Sequence, residues 1–347
     1  MSSISLKTNG DFFDDAVYKA IRSGTLELLL KDGLSADFVF TSVDLLVSEP
    51  VIGKSLLQIA TTEGNVDLMK LLIKYNCNIN AGVKKITTAD DQVIYQSHRK
   101  LDDFTGTCLY YAICSANNEV VRLLINAGAD VNMKGAYQIC ALTHAVDSEC
   151  IDIIQAILRV KDCNVDAQDI YGLSPLHIAA INGRADIALL LLKKRAIVNI
   201  KQCQGGTPLF MLTDYGTLKV LLEYGADPNH ATKEDANCGR LTALSSVLRR
   251  CRDSLVIESL VYAGAQVTVD CVEDSGDMPR ILKNYPDLLA WLKKQYRIPR
   301  SLKIQCALCI RKCLSKASNG VGLGINKRVL LLPIPNIIKD FILLKFV

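Results

Sequence analysis

Aromatic residues are scarce in this sequence. Phe, Trp and Tyr make up 6% of its 347 residues, with a single tryptophan, whereas half of all residues are hydrophobic. This composition supplies a large aliphatic core and favours packed helices over a β-sandwich. At this length the chain has room for two or three ordinary domains or for one long repeat array.

A disulfide framework is also missing. The 13 cysteines are odd in number and lie between Cys77 and Cys313 without a framework spacing. We expect reduced thiols, most of them small buried residues. The first residues, Met1 to Lys7, contain no apolar run of signal-peptide length, so we predict an intracellular protein, in the cytoplasm or alternatively the nucleus.

Constellations for catalysis, metals or cofactors are not evident. Gly53-Lys54-Ser55 resembles the end of a phosphate-binding loop, but Ser48 stands where that loop needs a glycine. The glycines at 320, 322 and 324 follow a predicted helix, whereas a dinucleotide loop follows a strand. The thiols at 306, 309 and 313 lack a fourth zinc ligand, since no histidine follows His230. We predict a non-enzyme without cofactor or metal, and structural roles for the histidines at 144 and 177.

The charge is distributed unevenly. From Pro279 onward there are 14 basic and 2 acidic residues, while the preceding part has 26 basic and 34 acidic. Few aromatic residues lie among the basic ones, so we interpret the basic residues as solvated helix faces and predict no nucleic-acid partner. The apolar stretch 329–347 contains two prolines and three charged residues, which makes a membrane span costly, and we predict no membrane partner.

A repeat of about 33 residues dominates the middle of the chain. One leucine recurs at positions 109, 142, 176, 209 and 244, in steps of 33, 34, 33 and 35. The motif around it reads Ser174-Pro-Leu-His177 in one copy and Thr207-Pro-Leu-Phe210 in another. This period and motif resemble the ankyrin repeat, a β-turn followed by two antiparallel helices. The resemblance implies an all-α fold, an ankyrin-repeat solenoid with β-turn or hairpin loops.

Particular residue types within the repeats predict local structure. Thr207 is expected to cap its helix, with Pro208 in the first turn. Glycines at 128, 225 and 264 are expected to end the second helices in the left-handed conformation. We expect the Leu-Leu pairs at 71–72, 123–124 and 221–222 to face the neighbouring repeat, because one repeat cannot bury its own apolar surface.

Divergent copies flank the clear repeats. Residues 14–33 read as a degenerate first repeat, residues 54–80 as a further copy, and residues 277–296 as a closing unit whose Leu288, Leu289, Trp291 and Leu292 form core or cap. The step from Leu57 to Leu109 exceeds the repeat period by about 19 residues. The polar insertion that accounts for them, roughly 81–105, is either a binding element or a plain surface loop. We predict three domains: 1–52, an amino-terminal cap with a degenerate repeat; 53–298, ankyrin repeats; and 299–347, a carboxy-terminal box.

The carboxy-terminal segment carries a second motif in two parts. Leu302, Cys306 and Ile310 follow Ser301 at helical spacing and form one stripe. Further on stands Leu332-Pro333-Ile334-Pro335, followed by an amphipathic stretch. These residues resemble the two parts of a SOCS box. Together with the repeats, they make the whole chain similar to the ankyrin repeat and SOCS box family.

That resemblance implies a function. It implies a small three-helix SOCS box, in which Ser301, Leu302, Cys306 and Ile310 bind elongin C in complex with elongin B. It further implies that Leu332, Pro333, Ile334 and Pro335 bind cullin-5 with its RING protein. The chain would then be the substrate-recognition subunit of a ubiquitin ligase, with an unknown target protein bound by the repeats. The alternative is a non-catalytic ankyrin scaffold or inhibitor that recruits no ligase, or a stripe that simply packs on the last repeat.

Two positions depart from the family pattern. Ala307 follows the motif cysteine where many members have arginine, and the connector 319–324 is rich in glycine and longer than usual. The first departure leaves the apolar stripe intact. The second bears on the cullin contact, because it sets the distance between the two parts of the box.

Overall fold

The chain is described by a computed structural model. It covers residues 10–39, 55–81, 107–230, 232, 242–251, 253–268 and 279–297, together with Gln305, Cys309, Ile310 and Cys313. The chain divides into two compact units, the first ending at Cys163 and the second beginning at Asn164. These described stretches are helical and contain no β-strand, with two isolated bridges, Val39 to Ser55 and Lys134 to Cys140.

The described part of the first unit consists of four consecutive helix pairs. In each pair we call the first helix inner and the second outer. The bounds are α1 Gly10–Ser23, α2 Leu26–Lys31, α3 Leu56–Glu63, α4 Val66–Lys74, α5 Cys108–Cys114, α6 Asn118–Asn126, α7 Ala141–Asp147 and α8 Ile151–Arg159, with a 3₁₀ turn at Ala136–Gln138. The degenerate first repeat predicted for residues 14–33 is confirmed as a helix pair, α1 and α2.

The described part of the second unit also contains four pairs. The bounds are α9 Pro175–Ile181, α10 Ala185–Lys193, a 3₁₀ helix Pro208–Met211, α11 Tyr215–Glu223, α12 Ala243–Arg250, α13 Ser254–Tyr262, α14 Arg280–Asn284 and α15 Pro286–Arg297. The unit predicted near residues 277–296 contains the helix pair α14 and α15. Its Leu288 and Leu292 are buried, and Trp291 meets Tyr262 edge to face at 5.6 Å between ring centroids.

The recurring leucine of the inner helices forms the core. It is buried in all six pairs from α3 to α13, at positions 57, 109, 142, 176, 209 and 244, with at most 2% of its surface exposed. One position of the outer helix is fully buried in the same six pairs: Leu72, Leu124, Ile157, Leu191, Leu221 and Leu260. Each such side chain contributes on the order of 2 kcal/mol by leaving water.

Two packing predictions need correction. In the Leu-Leu pairs, only Leu72, Leu124 and Leu221 are buried, while the other members are half-buried, because adjacent helix positions point about 100° apart. Most cysteines were expected to be buried, yet only four of the ten described ones are: Cys77, Cys108, Cys140 and Cys251. Others occupy solvent-facing positions of the inner helices, turns and carboxy-terminal segment.

Helix starts use polar side chains. Thr107 Oγ1 accepts the Tyr110 amide at 3.3 Å, and Thr242 Oγ1 accepts the Ser245 amide at 3.2 Å, which satisfies amides that lack a helical partner. The cap predicted at Thr207 is wrong. The corresponding amide, that of Phe210, already donates to the Thr207 carbonyl at 2.8 Å in the tighter 3₁₀ turn, so the Thr207 hydroxyl is buried without a partner.

Helix ends follow the glycine prediction. Gly128, Gly225 and Gly264 have φ of +91°, +94° and +110°, in the left-handed region that costs glycine little. The polar insertion and the stretch 329–347 lie outside the described residues, apart from Ala81 at the start of the insertion. No described helix is long and apolar enough to cross a membrane.

Candidate functional site: a rigid turn and an inner helical face

A turn in the second unit presents two adjacent apolar side chains. Ile170 is 43% exposed and Tyr171 is 60% exposed, although the backbone around them is well fixed. The Asp169 carboxylate accepts the amides of Tyr171 and Leu173 at 2.9 and 2.8 Å. The Asp169 amide in turn donates to the Leu173 carbonyl at 3.1 Å. These hydrogen bonds therefore fix the backbone that presents the exposed aromatic residue.

The next turn of the second unit supports the first. The Cys203 amide donates to the Tyr171 carbonyl at 3.0 Å, and Gln168 Nε2 donates to the Lys201 carbonyl at 2.8 Å. Rigid tyrosines with little conformational entropy to lose are typical anchors of protein interfaces. We call Ile170 and Tyr171 the turn anchor.

Gly172 allows the two turns to approach. Its φ is +77°, and a Cβ at this position would lie 2.6 Å from the Cys203 amide nitrogen and 3.0 Å from Gln202 backbone atoms. Gly172→Ala should therefore lower the free energy of unfolding by about 2 kcal/mol, combining a strained conformation with a backbone clash. Equilibrium urea unfolding measures this loss.

The matched control for this substitution is Gly128→Ala. Gly128 also has a positive φ, but a Cβ there would meet nothing within 4 Å. It should therefore cost only the conformational strain, about 1 kcal/mol. Equal losses for the two variants would contradict the close approach at Gly172.

The inner helical face of the second unit lies next to this turn in sequence. Ile178 is half-buried and Ile181 is 37% exposed on α9. The aligned positions of α12 are Ser246 and Arg249, and Arg249 and the following Arg250 are both exposed. This face combines apolar and basic side chains, which suits recognition of another protein chain more than bond chemistry.

In the first unit the corresponding face carries a thiol and a histidine. Cys114 Sγ lies 3.0 Å from His144 Nε2, and the Tyr110 ring stacks on His144 at 4.7 Å between centroids. Burial raises the pKa of the Cys114 thiol and lowers the pKa of His144. Both groups are therefore uncharged at neutral pH, and the contact is a neutral hydrogen bond with no activated thiolate. No motif pointed to this contact, because the two residues are 30 positions apart on different helices.

His177 has a structural role, as predicted. Its Nδ1 accepts the Ser174 amide at 3.1 Å, so the proton sits on Nε2, which donates to the Gly206 carbonyl at 3.3 Å. Burial lowers its pKa to about 4. Among the described residues, no group of three or more His, Cys, Asp or Glu is placed to hold a metal ion.

The predicted carboxy-terminal site residues are described only in part. Ile310 is helical and 37% exposed, and the neighbouring Cys309 and Cys313 are helical and exposed as well. The other predicted residues lie outside the described part of the chain: Ser301, Leu302, Cys306, Leu332, Pro333, Ile334 and Pro335. Their roles stay predictions, as do the three domain boundaries.

Comparison with known proteins identifies the repeats. The family model described as "Ankyrin repeats (3 copies)" matches residues 5–135, 83–169 and 142–232, which together span more than half of the chain. The chain therefore belongs to the ankyrin repeat family, whose stacked helix pairs are protein-interaction scaffolds.

Individual relatives are similar over the repeats they share with this chain. The mouse B-cell lymphoma 3 protein homolog is 30% identical over 118 residues, which is 33% of this chain and 26% of that protein. Variola virus ankyrin repeat protein OPG189 is 28% identical over 125 residues, 33% of this chain and 22% of its own length. The Arabidopsis thaliana E3 ubiquitin-protein ligase XBAT33 is 36% identical over 85 residues, 24% of this chain and 16% of that ligase. The matches thus span about a quarter or less of these relatives.

Proposed function

We propose that this chain is the substrate-recognition subunit of an elongin B/C–cullin-5–RING ubiquitin ligase. The ankyrin repeats bind a target protein, and the carboxy-terminal box recruits the ligase, which leads to ubiquitination and proteasomal degradation. In this proposal Ser301, Leu302, Cys306 and Ile310 contact elongin C, and 332–335 contact cullin-5. The chain contributes no catalytic residue and works in the cytoplasm or nucleus.

The exposure of Ile310 is the observation that carries this proposal. An apolar stripe that packed on the last repeat would bury Ile310, yet its side chain and those of Cys309 and Cys313 face solvent. Helical spacing predicts that positions 302 and 306 fall on the same face. A helix face of this kind is usually covered by a partner, because exposed apolar stripes are sticky.

The repeats supply the second half of the function. The turn anchor and the inner face of α9 and α12 offer exposed side chains on a rigid backbone, which suits capture of a protein surface. Catalysis then proceeds by proximity. Holding a target beside a charged ubiquitin-conjugating enzyme raises the effective concentration of its lysines without bond chemistry in this chain.

Co-expression with elongins B and C tests the recruitment step. The wild-type chain should co-purify with both. Leu302→Asp with Cys306→Asp should weaken this binding at least thirtyfold, since the lost burial of one leucine alone is about 2 kcal/mol. Isothermal titration calorimetry with the purified elongin B/C dimer measures the dissociation constant of each variant.

The matched control is Lys312→Asp, a charge change predicted to lie off the stripe, which should leave elongin binding unchanged. Alanine at 332–335 should abolish cullin-5 binding and spare the elongins. A wild-type chain that fails to bind elongin B/C, or a double variant that binds as well as wild type, would rule the ligase out. The chain would then be an ankyrin scaffold or inhibitor.

A further inference from the structure

The sixth helix pair has a shortened inner element. Its inner 3₁₀ helix, Pro208–Met211, has four residues, whereas α9 has seven, although the outer helices α10 and α11 both have nine. At a rise of about 2.0 Å per residue for the 3₁₀ helix and about 1.5 Å for the α-helix, the inner element is shorter than α9 by about 2.5 Å. It ends at Met211, and the coil residues that follow contact the end of α9 through Thr213 and contact Cys251 through the Leu212 carbonyl.

Exposed side chains lie on both sides of the shortened element. Ile181, at the end of α9, is exposed on one side, and Arg249 and Arg250, in the last turn of α12, are exposed on the other. Met211 is half-buried between them, and Thr213 follows it. We call these five residues the inner row.

Direct contacts make the inner row continuous. Thr213 Oγ1 donates to the Ile181 carbonyl at 3.2 Å, and Arg250 Nη1 lies 3.1 Å from Met211 Sδ. The row therefore runs from an apolar end at Ile181, across a flexible and polarisable methionine, to a basic end at the two arginines.

Arg249 and Arg250 have no acidic ion-pair partner among the described residues. The nearby carboxylates are used as helix caps: Asp214 accepts the Thr217 amide at 3.0 Å, and Asp253 accepts the Leu255 amide at 2.9 Å. Two adjacent exposed arginines favour a carboxylate partner, which a guanidinium can bind with two parallel hydrogen bonds.

We propose that the inner row binds an acidic segment of a partner protein, in which an Asp or Glu stands beside an apolar residue. The carboxylate pairs with Arg249 and Arg250, while the apolar side chain packs on Ile181 and Met211. The proposal rests on target binding by the repeats in the proposed function, and it names the chemistry of the target segment.

Selection from a displayed random-peptide library on the full-length protein tests the proposal. Enriched peptides should carry Asp or Glu next to an apolar residue. Measured by fluorescence anisotropy, their affinity should fall at least tenfold for Arg249→Gln with Arg250→Gln, and tenfold or more between 0.05 and 0.5 M salt. Selection on Arg249→Glu with Arg250→Glu should shift enrichment from acidic to basic peptides.

Controls keep the outcome specific. Arg159→Gln, at an exposed position in the last turn of α8, should leave peptide affinity unchanged, and circular dichroism melts check the fold of each variant. Enriched peptides without acidic residues, equal binding by the double Gln variant, or no enriched peptide at all would overturn the proposal. Co-purification of the same arginine variants with elongins B and C tests ligase recruitment separately. A failure of peptide binding can therefore be distinguished from a failure of the proposed ligase function.

Discussion

Leu191→Ala should destabilise the second unit by about 3 to 5 kcal/mol, the range for a buried leucine replaced by alanine. Leu191 lies on α10 with none of its surface exposed. Its removal loses both the transfer of a large side chain out of water and the contacts of the cavity left behind. A stacked helix pair cannot refill that space without moving its neighbour, so little relaxation is expected.

The measurement is urea unfolding followed by tryptophan fluorescence. Trp291 is the only tryptophan of the chain and lies in the second unit, so its emission reports that unit even if the two units unfold in separate steps. Leu190→Ala is the matched control, because Leu190 is the same residue type, adjacent on α10 and half-buried. It should cost about 1 kcal/mol, and equal losses would contradict the burial pattern.

Acidification should destabilise the chain through His177. Its pKa in the folded protein is about 4, below the value of about 6.5 in an unfolded chain. The unfolded chain therefore takes up the proton first as the pH falls. The stabilisation is complete above pH 6.5 and declines down to pH 4, by about 3 kcal/mol in all.

His177→Asn separates this effect from other titrating groups. The asparagine oxygen can accept the Ser174 amide as Nδ1 does, but it does not titrate, so the variant should show about 3 kcal/mol less loss between pH 6.5 and 4. Unfolding curves at several pH values give the comparison. The buried neutral tautomer would be contradicted if the free energy of unfolding of the two proteins changed equally with pH. An imidazolium signal from His177 in NMR spectra of the folded protein at pH 5.5 would contradict it as well.

Much of the repeat architecture could be predicted from the sequence. The leucine period located five inner elements, because one buried residue per repeat recurs wherever similar units stack. The second-helix glycines were equally readable, since few other residues tolerate their backbone conformation. It was harder to predict which leucine of each Leu-Leu pair is buried, because two adjacent leucines look alike in the sequence although only one of them lies in the core.

The shortened inner element could have been recognised from the spacing within its helix pair, although the spacing between repeats hides it. From Leu209 to Leu221 there are 12 residues, against 15 from Leu176 to Leu191, which places the deletion inside the helix pair. The turn anchor and the Cys114–His144 contact had no such signal. Both depend on how separate elements are brought together, and neither residue type nor local spacing encodes that.

The shortened inner element also limits how freely the repeats can be exchanged. The Phe210 carbonyl accepts the Ser246 hydroxyl at 2.9 Å, and the Leu212 carbonyl accepts the Cys251 thiol at 3.3 Å, so both are satisfied by the following pair. The Thr213 hydroxyl in turn donates a hydrogen bond to the Ala180 carbonyl at the end of α9, in the preceding pair. The sixth pair is therefore not an interchangeable module. Duplicating, deleting or transplanting this pair alone would leave carbonyl groups on both sides without these hydrogen-bond donors. An engineered array would therefore have to move the fifth, sixth and seventh pairs together.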